Sequence, residues 1–215
     1  RRRSAGPPLA DGTVTLADDR ILSVDSSGVR TPDAHLGNVA LVPGLVNAHT
    51  HLDLSGARGR TPPTDPDRFP DWLRTVIAYR RSRSPADTDA DVAAGLAECL
   101  AAGTTLIGDI AADGRSWDAL ATAPARAVVF WELIGLDPDR LFDAWQLWGM
   151  TAGLDWGDSE RPEGLVVKPP TPTCRWALSP HAPYTVRADG MANFLWLSGL
   201  FATHIAESPA EQDLL

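Results

Sequence analysis

The sequence predicts an α/β fold whose main body is a parallel sheet, and two observations predict it. From residue 45 onward, short and almost wholly apolar runs alternate with segments of helical spacing. That is the pattern of a sheet covered by helices on its faces. Before residue 45 the rhythm differs. "DGTVTLADDRILSVDSSGV" (residues 11–29) alternates apolar and polar residues between Asp-Gly and Ser-Gly breaks, as short antiparallel strands do. The chain therefore divides into two domains, a small β module over residues 1–44 and an α/β body over residues 45–215.

Five strands are expected in the body, at 45–50, 104–109, 126–133, 174–180 and 200–205. The first, "LVNAHT", follows the turn residues Pro43-Gly44. A Gly/Pro/Arg-rich loop over 52–68 leads to "FPDWLRTVIAYRRSR" (69–83), whose apolar positions have helical spacing. "DTDADVAAGLAECLAAG" (87–103) is a second helix, with Asp and Thr at its start and Gly103 as its stop. "TTLIGDI" and "RAVVFWELIG" read as buried strands. Between the third and fourth strands, "DPDRLFDAWQLWG" opens a helix with Asp-Pro. Residues 150–173 are a polar, Pro-rich connection. "RWALSPHAPYT" is strand then loop, "ADGMANFLWLSG" a weaker helix, and "LFATHIAES" strand then turn.

Composition narrows the function. Hydrophobic residues make up 44% of the 215, enough for a sizeable core, and the formal charge is -9. An acidic chain is a poor partner for nucleic acid, which needs a basic face. The basic run Arg1-Arg2-Arg3 reads as a solvated end. No apolar run approaches the ~20 residues that cross a bilayer, so no membrane association is expected. No signal peptide is legible, and Cys99 and Cys174 fit no metal or redox spacing. Cytoplasmic residence is the expectation.

The chain has five histidines, and two of them, His49 and His51, sit together at the end of the first strand. On a strand, residues i and i+2 point to the same side. The carboxyl end is also where parallel α/β folds place their chemistry. Two imidazoles side by side on a rigid strand suit one divalent metal.

"PGLVNAHTHLD" (43–53) resembles the first-strand signature of the amidohydrolase superfamily, in its cytosine, adenosine and guanine deaminase-like branch. "GTTLIGDI" is similar to that family's second strand, "SPHAPYT" to the loop after the fourth, and "ATHIAES" to the fifth strand. The resemblance runs from about Asp11 to the end of the chain. It implies a TIM-like (β/α)8 barrel with a small β-sandwich, so residues 1–44 would be part of that sandwich. It also implies one divalent metal, zinc before iron or manganese, held by His49, His51 and His204. Glu207 would be the catalytic proton shuttle, and His181 would line the substrate pocket without binding metal. A carboxylated lysine bridges two metals in other members. Lys168, the chain's only lysine, precedes the assigned fourth strand and is read as outside the site.

The implied reaction removes ammonia from an aminopurine-like ring by attack of metal-bound hydroxide, a hydrolysis of a non-peptide C–N bond. Asp53 and Ser55 lie in a His-x-His-hydrophobic-acid-hydrophobic-Ser run similar to that of aminodeoxyfutalosine deaminases. Glu132, at the end of a strand, is expected to contact substrate or to pair with an arginine. Two alternatives stay open: a cyclic-amide or triazine hydrolase on the same scaffold, and a non-catalytic barrel relic. A small-molecule substrate is the expected partner, and the resemblance allows a homo-oligomer. A full barrel takes ~250 residues, so the expectation is a barrel truncated after about five strands. The family's later His and Asp would then lie past Leu215, and the piece alone is expected to be inactive and poorly folded.

Overall fold

The computed structural model describes residues 7–26, 28–63, 66–154, 161–192 and 199–214. The chain forms two compact units, Arg1–Pro43 and Gly44–Leu215. In the first, β1 (Thr13–Ala17) and β2 (Arg20–Asp25) pair antiparallel, with Thr13 opposite Asp25 and Ala17 opposite Arg20. Asp18 turns the hairpin with φ 50, a conformation that Asp tolerates better than most residues. No further strand follows among the described residues up to Pro43.

The second unit carries β3 (Leu45–Thr50), α1 (Phe69–Ser82), α2 (Pro85–Ala101), β4 (Thr104–Ala111), α3 (Trp117–Ala121), β5 (Arg126–Leu133), α4 (Pro138–Ala152) and β6 (Cys174–Pro180). Its four strands form one parallel sheet in the order β3-β4-β5-β6. The arc is open, with β3 at one edge exposing Leu45 and Val46. The expected fifth strand is reduced to one parallel bridge, Phe201 to Leu178, with the amide of His204 donating to the His181 carbonyl at 2.7 Å. Of the weak helix expected before that strand, residues 188–192 are helical, and 193–198 lie outside the described residues.

Local chemistry sets the helix ends. Ser84 and Asp87 form a reciprocal capping box on α2, with Pro85 in its first turn. Asp137 accepts from the Arg140 amide to cap α4. Gly153 ends α4 with φ 81, a conformation costly for any residue with a Cβ.

Strand alternation sorts the core into two faces. Along β5, Ala127 and Val129 pack with Val92 and Leu96 of α2 and Leu120 of α3, while Trp131 and Leu133 pack with Leu141 of α4. On that side Trp117 stacks on Trp176 with ring centroids 4.1 Å apart, worth about 0.5–1.5 kcal/mol beyond burial. Val128 and Phe130 face the other way, against Ile110, Ala177 and Ala202. Glu132 continues this second row at the carboxyl end of β5.

The loop expected over 52–68 contains a 3-10 helix, Leu52–Ala57, directly after His51. It is pinned from below by Asp109, at the end of β4, which accepts the Leu52 amide at 2.8 Å. It is pinned from the side by Asp91, which accepts from Tyr79 at 2.7 Å and from Arg83 at 2.9 Å and packs close to Gly56.

Candidate metal centre

His49 and His51 leave the end of β3, and His204 lies beyond the bridge beside β6. One ring nitrogen from each falls within 4.8 Å of the others. The ring centroids are 4.9 Å apart for His49 and His204, and 5.3 Å for His51 and His204. The Nε2 atoms of His51 and His204 approach to 3.2 Å. Residues 153 apart in sequence thus meet because parallel strands bring their carboxyl ends to one rim.

Hydrogen bonds engage the Nδ1 atoms of two rings and assign the proton on one of them. His204 Nδ1 lies 3.2 Å from the His181 carbonyl, which only accepts, so Nδ1 carries the proton and Nε2 offers its lone pair. His181 Nδ1 lies 2.7 Å from the Thr185 hydroxyl, which also lies 3.1 Å from the Ala182 carbonyl. Nδ1 is thereby engaged, and Nε2 is the nitrogen that His181 leaves for the site. A carbonyl or hydroxyl fixing the remote nitrogen is the usual support of a ligating imidazole. His51 differs: its Nδ1 faces Arg80 Nη2 at 3.4 Å.

Burial chiefly, then the neighbouring basic groups, favours the neutral form of His49, His51 and His181. His51 is lowered to about 3 by burial, then Arg80, His204 and the other rings. His181 is lowered to about 4 by burial, His204 and Arg80. His49 is lowered by burial and His204. Neutral imidazole is the form that ligates a metal, so the donor set fits a divalent ion that accepts nitrogen ligands.

Beside the histidines lies an ion cluster that the sequence reading left partly unseen. Arg80, on α1, donates to Asp53 at 3.1 Å and to Glu132 at 3.2 Å. Burial alone would lower the Arg80 pKa, but the two carboxylates outweigh it and raise it. Burial raises Asp53 and Glu132, with Arg80 opposing. A carboxylate oxygen of Glu132, one ring nitrogen of His181 and one of His204 form a second convergent set within 4.8 Å. Of the two expectations for Glu132, pairing with an arginine is the one visible here. Arg80 was legible in principle. It follows Phe69 and Val76, both buried, at i+11 and i+4, which puts a charge on the apolar stripe of α1.

Glu207 joins neither convergent set. It is exposed, its amide donates to Glu211 at 2.9 Å, and its charge reaches Tyr184. Burial first, then Glu207 and Glu211, push that phenol up to about 12. Tyr184 stands edge-on to His181 with centroids 6.0 Å apart. Lys168 lies away from the centre, bonded to Asp118 at 2.9 Å. No helix among the described residues is long and apolar enough to cross a membrane.

Parallel strands with imidazoles gathered at their carboxyl ends define the class: an α/β-barrel protein with a candidate metal centre on its C-terminal rim. The chain belongs to the amidohydrolase family, whose model matches residues 40–213. It is 29% identical to a 5-methylthioadenosine/S-adenosylhomocysteine deaminase of Nitratidesulfovibrio vulgaris, over 94% of this chain and 46% of that protein. It is 33% identical to an aminodeoxyfutalosine deaminase of Nitratiruptor sp., over 47% of this chain and 24% of that protein. Among solved structures, a zinc-bound adenosine deaminase of Xanthomonas campestris matches with a TM-score of 0.63 at 24% identity, over 94% of this chain and 46% of that one. The chain spans less than half the length of these relatives.

Proposed function

We propose that the protein carrying this chain is a metal-dependent aminohydrolase that releases ammonia from an aminopurine-like small molecule. The observation that carries the reading is the meeting of His49, His51 and His204 within 4.8 Å in a chain of the amidohydrolase family. The names of curated relatives, 5-methylthioadenosine/S-adenosylhomocysteine deaminase and aminodeoxyfutalosine deaminase, support the substrate class.

In this reading His49, His51 and His204 hold one divalent metal, and the zinc of the Xanthomonas structure favours zinc. A metal bound there would supply a water acidified toward neutrality. His181, neutral, orients the ring by a hydrogen bond through its Nε2. Glu207, three residues past His204, carries a proton to a ring nitrogen. Its side chain is exposed, so this role requires it to turn toward the ring.

The test is ammonia release by the zinc-loaded protein from a panel of aminopurine bases and nucleosides. Turnover lost in Glu207→Gln with zinc retained supports the reading. Zinc bound with no ammonia from any member of the panel contradicts it.

A further inference from the structure

Glu132 carries an atom that the centre leaves without use. Its side chain is 1% exposed. One oxygen, Oε2, accepts from Arg80 Nη1 at 3.2 Å. The other, Oε1, is buried and has no hydrogen-bond partner among the described residues, and Asp53 Oδ1 is in the same state. Buried carboxylate oxygens are normally satisfied, because desolvating one without a partner is costly. Here the carboxylate that carries the orphan sits where a ligand would lie. A Glu132 oxygen falls within 4.8 Å of ring nitrogens of His181 and His204. Each Nδ1 is occupied, so the Nε2 of His181 is the nitrogen left for a ligand, while the Nε2 of His204 already lies 3.2 Å from His51 Nε2.

We propose that Glu132 is a ligand-contacting residue that sets specificity: its free oxygen accepts a hydrogen bond from an N–H or O–H of the bound molecule. The inference rests on the aminohydrolase reading only for the identity of the probe. The chemistry of the free oxygen decides what that part of the ligand is. An ionised carboxylate oxygen only accepts hydrogen bonds, and Arg80 already serves the other oxygen of Glu132. A face bearing N–H or O–H donors is therefore taken there, as on an amino-heterocycle or a sugar. A second metal ion at Glu132, His181 and His204 is disfavoured. It would compete with the first centre for His204 and lie close to the Arg80 guanidinium.

The experiment uses the zinc-loaded protein that carries this chain, with Glu132→Gln, which keeps shape and loses the charge. Glu132→Asp keeps the charge on a shorter arm and serves if the glutamine variant fails to fold. Binding is read by calorimetric titration with inosine, which has ring N–H and sugar O–H donors but no amine to lose. Turnover is read with adenosine. The expectation is an inosine Kd raised about tenfold or more in the variant, with zinc affinity unchanged within about twofold. The KM for adenosine should rise more than kcat falls. Equal inosine affinity in wild type and variant overturns this inference alone and leaves the aminohydrolase reading standing. Loss of zinc with the substitution makes Glu132 a metal ligand and also overturns it. A wild-type protein that neither binds inosine nor releases ammonia from adenosine overturns both.

Discussion

His204 Nδ1 lies 3.2 Å from the carbonyl of His181, and the His204 amide donates to the same carbonyl at 2.7 Å. One backbone oxygen thus fixes both the path of the chain after the bridge and the tautomer of the ring it delivers. The lone pair of His204 is aimed at the histidines of β3, and the position depends on no regular strand.

His204→Ala should remove zinc binding by about a hundredfold or more, a larger loss than outer-shell changes cause. Thermal unfolding of the metal-free protein should change little, since His204 is only half-buried at the rim. Zinc titration against a chelator checks the first outcome and calorimetry the second.

Asp109→Ala should cost about 1–3 kcal/mol, because the buried carboxylate accepts the Leu52 amide at 2.8 Å and its loss orphans that donor. The same change loosens the turn after His51, so zinc affinity should fall as well. Urea unfolding measures the first effect. An unchanged midpoint contradicts the assignment.

Asp109 also sets a pH dependence. Burial, with a smaller push from Asp53, raises its carboxyl from 3.8 to about 6. Between those values the folded protein keeps the proton and the unfolded chain loses it. The contribution of Asp109 to stability therefore falls as pH rises from about 4 to 6. Asp109→Asn abolishes that slope. The stability of wild type minus variant should drop by up to about 3 kcal/mol across the interval, read by urea unfolding at several pH values. A flat difference contradicts this.

Gly108→Ala should destabilise by about 1–3 kcal/mol. A Cβ there would stand 2.5 Å from the Ala48 carbonyl oxygen and 3.3 Å from the Phe130 ring. A backbone oxygen cannot swing aside, so β3 must separate from β4, carrying His49 with it. Weaker zinc binding should accompany the lower unfolding midpoint.

The sequence made the four strands of the sheet legible because their cores are nearly continuous apolar runs, which a sheet covered on both faces demands. The helix α2 was legible from the Asp and Thr at its start and Gly103 at its stop, although it begins two residues earlier, at Pro85 behind its Ser84 cap, and α4 was legible from its opening Asp-Pro. The 3-10 helix after His51 was not, because tertiary contacts from Asp109 and Asp91 hold it and nothing in its own residues announces it. Helix α3 is five residues long, too short to show a period. Periodicity cannot place His204 beside His49, since that proximity is a product of topology; the motif resemblance supplied it. Arg80 was passed over as one charge in an arginine-rich stretch, although its place on the buried stripe of α1 set it apart.

The most direct test of the central claim is zinc K-edge X-ray absorption on the purified, zinc-loaded protein, with zinc counted per chain. One tightly bound zinc with three imidazole nitrogens at roughly 2.0–2.1 Å, and the loss of one of them in His204→Ala, is the predicted result. A chain that holds no zinc, or a zinc shell unchanged by removing His204, would contradict it.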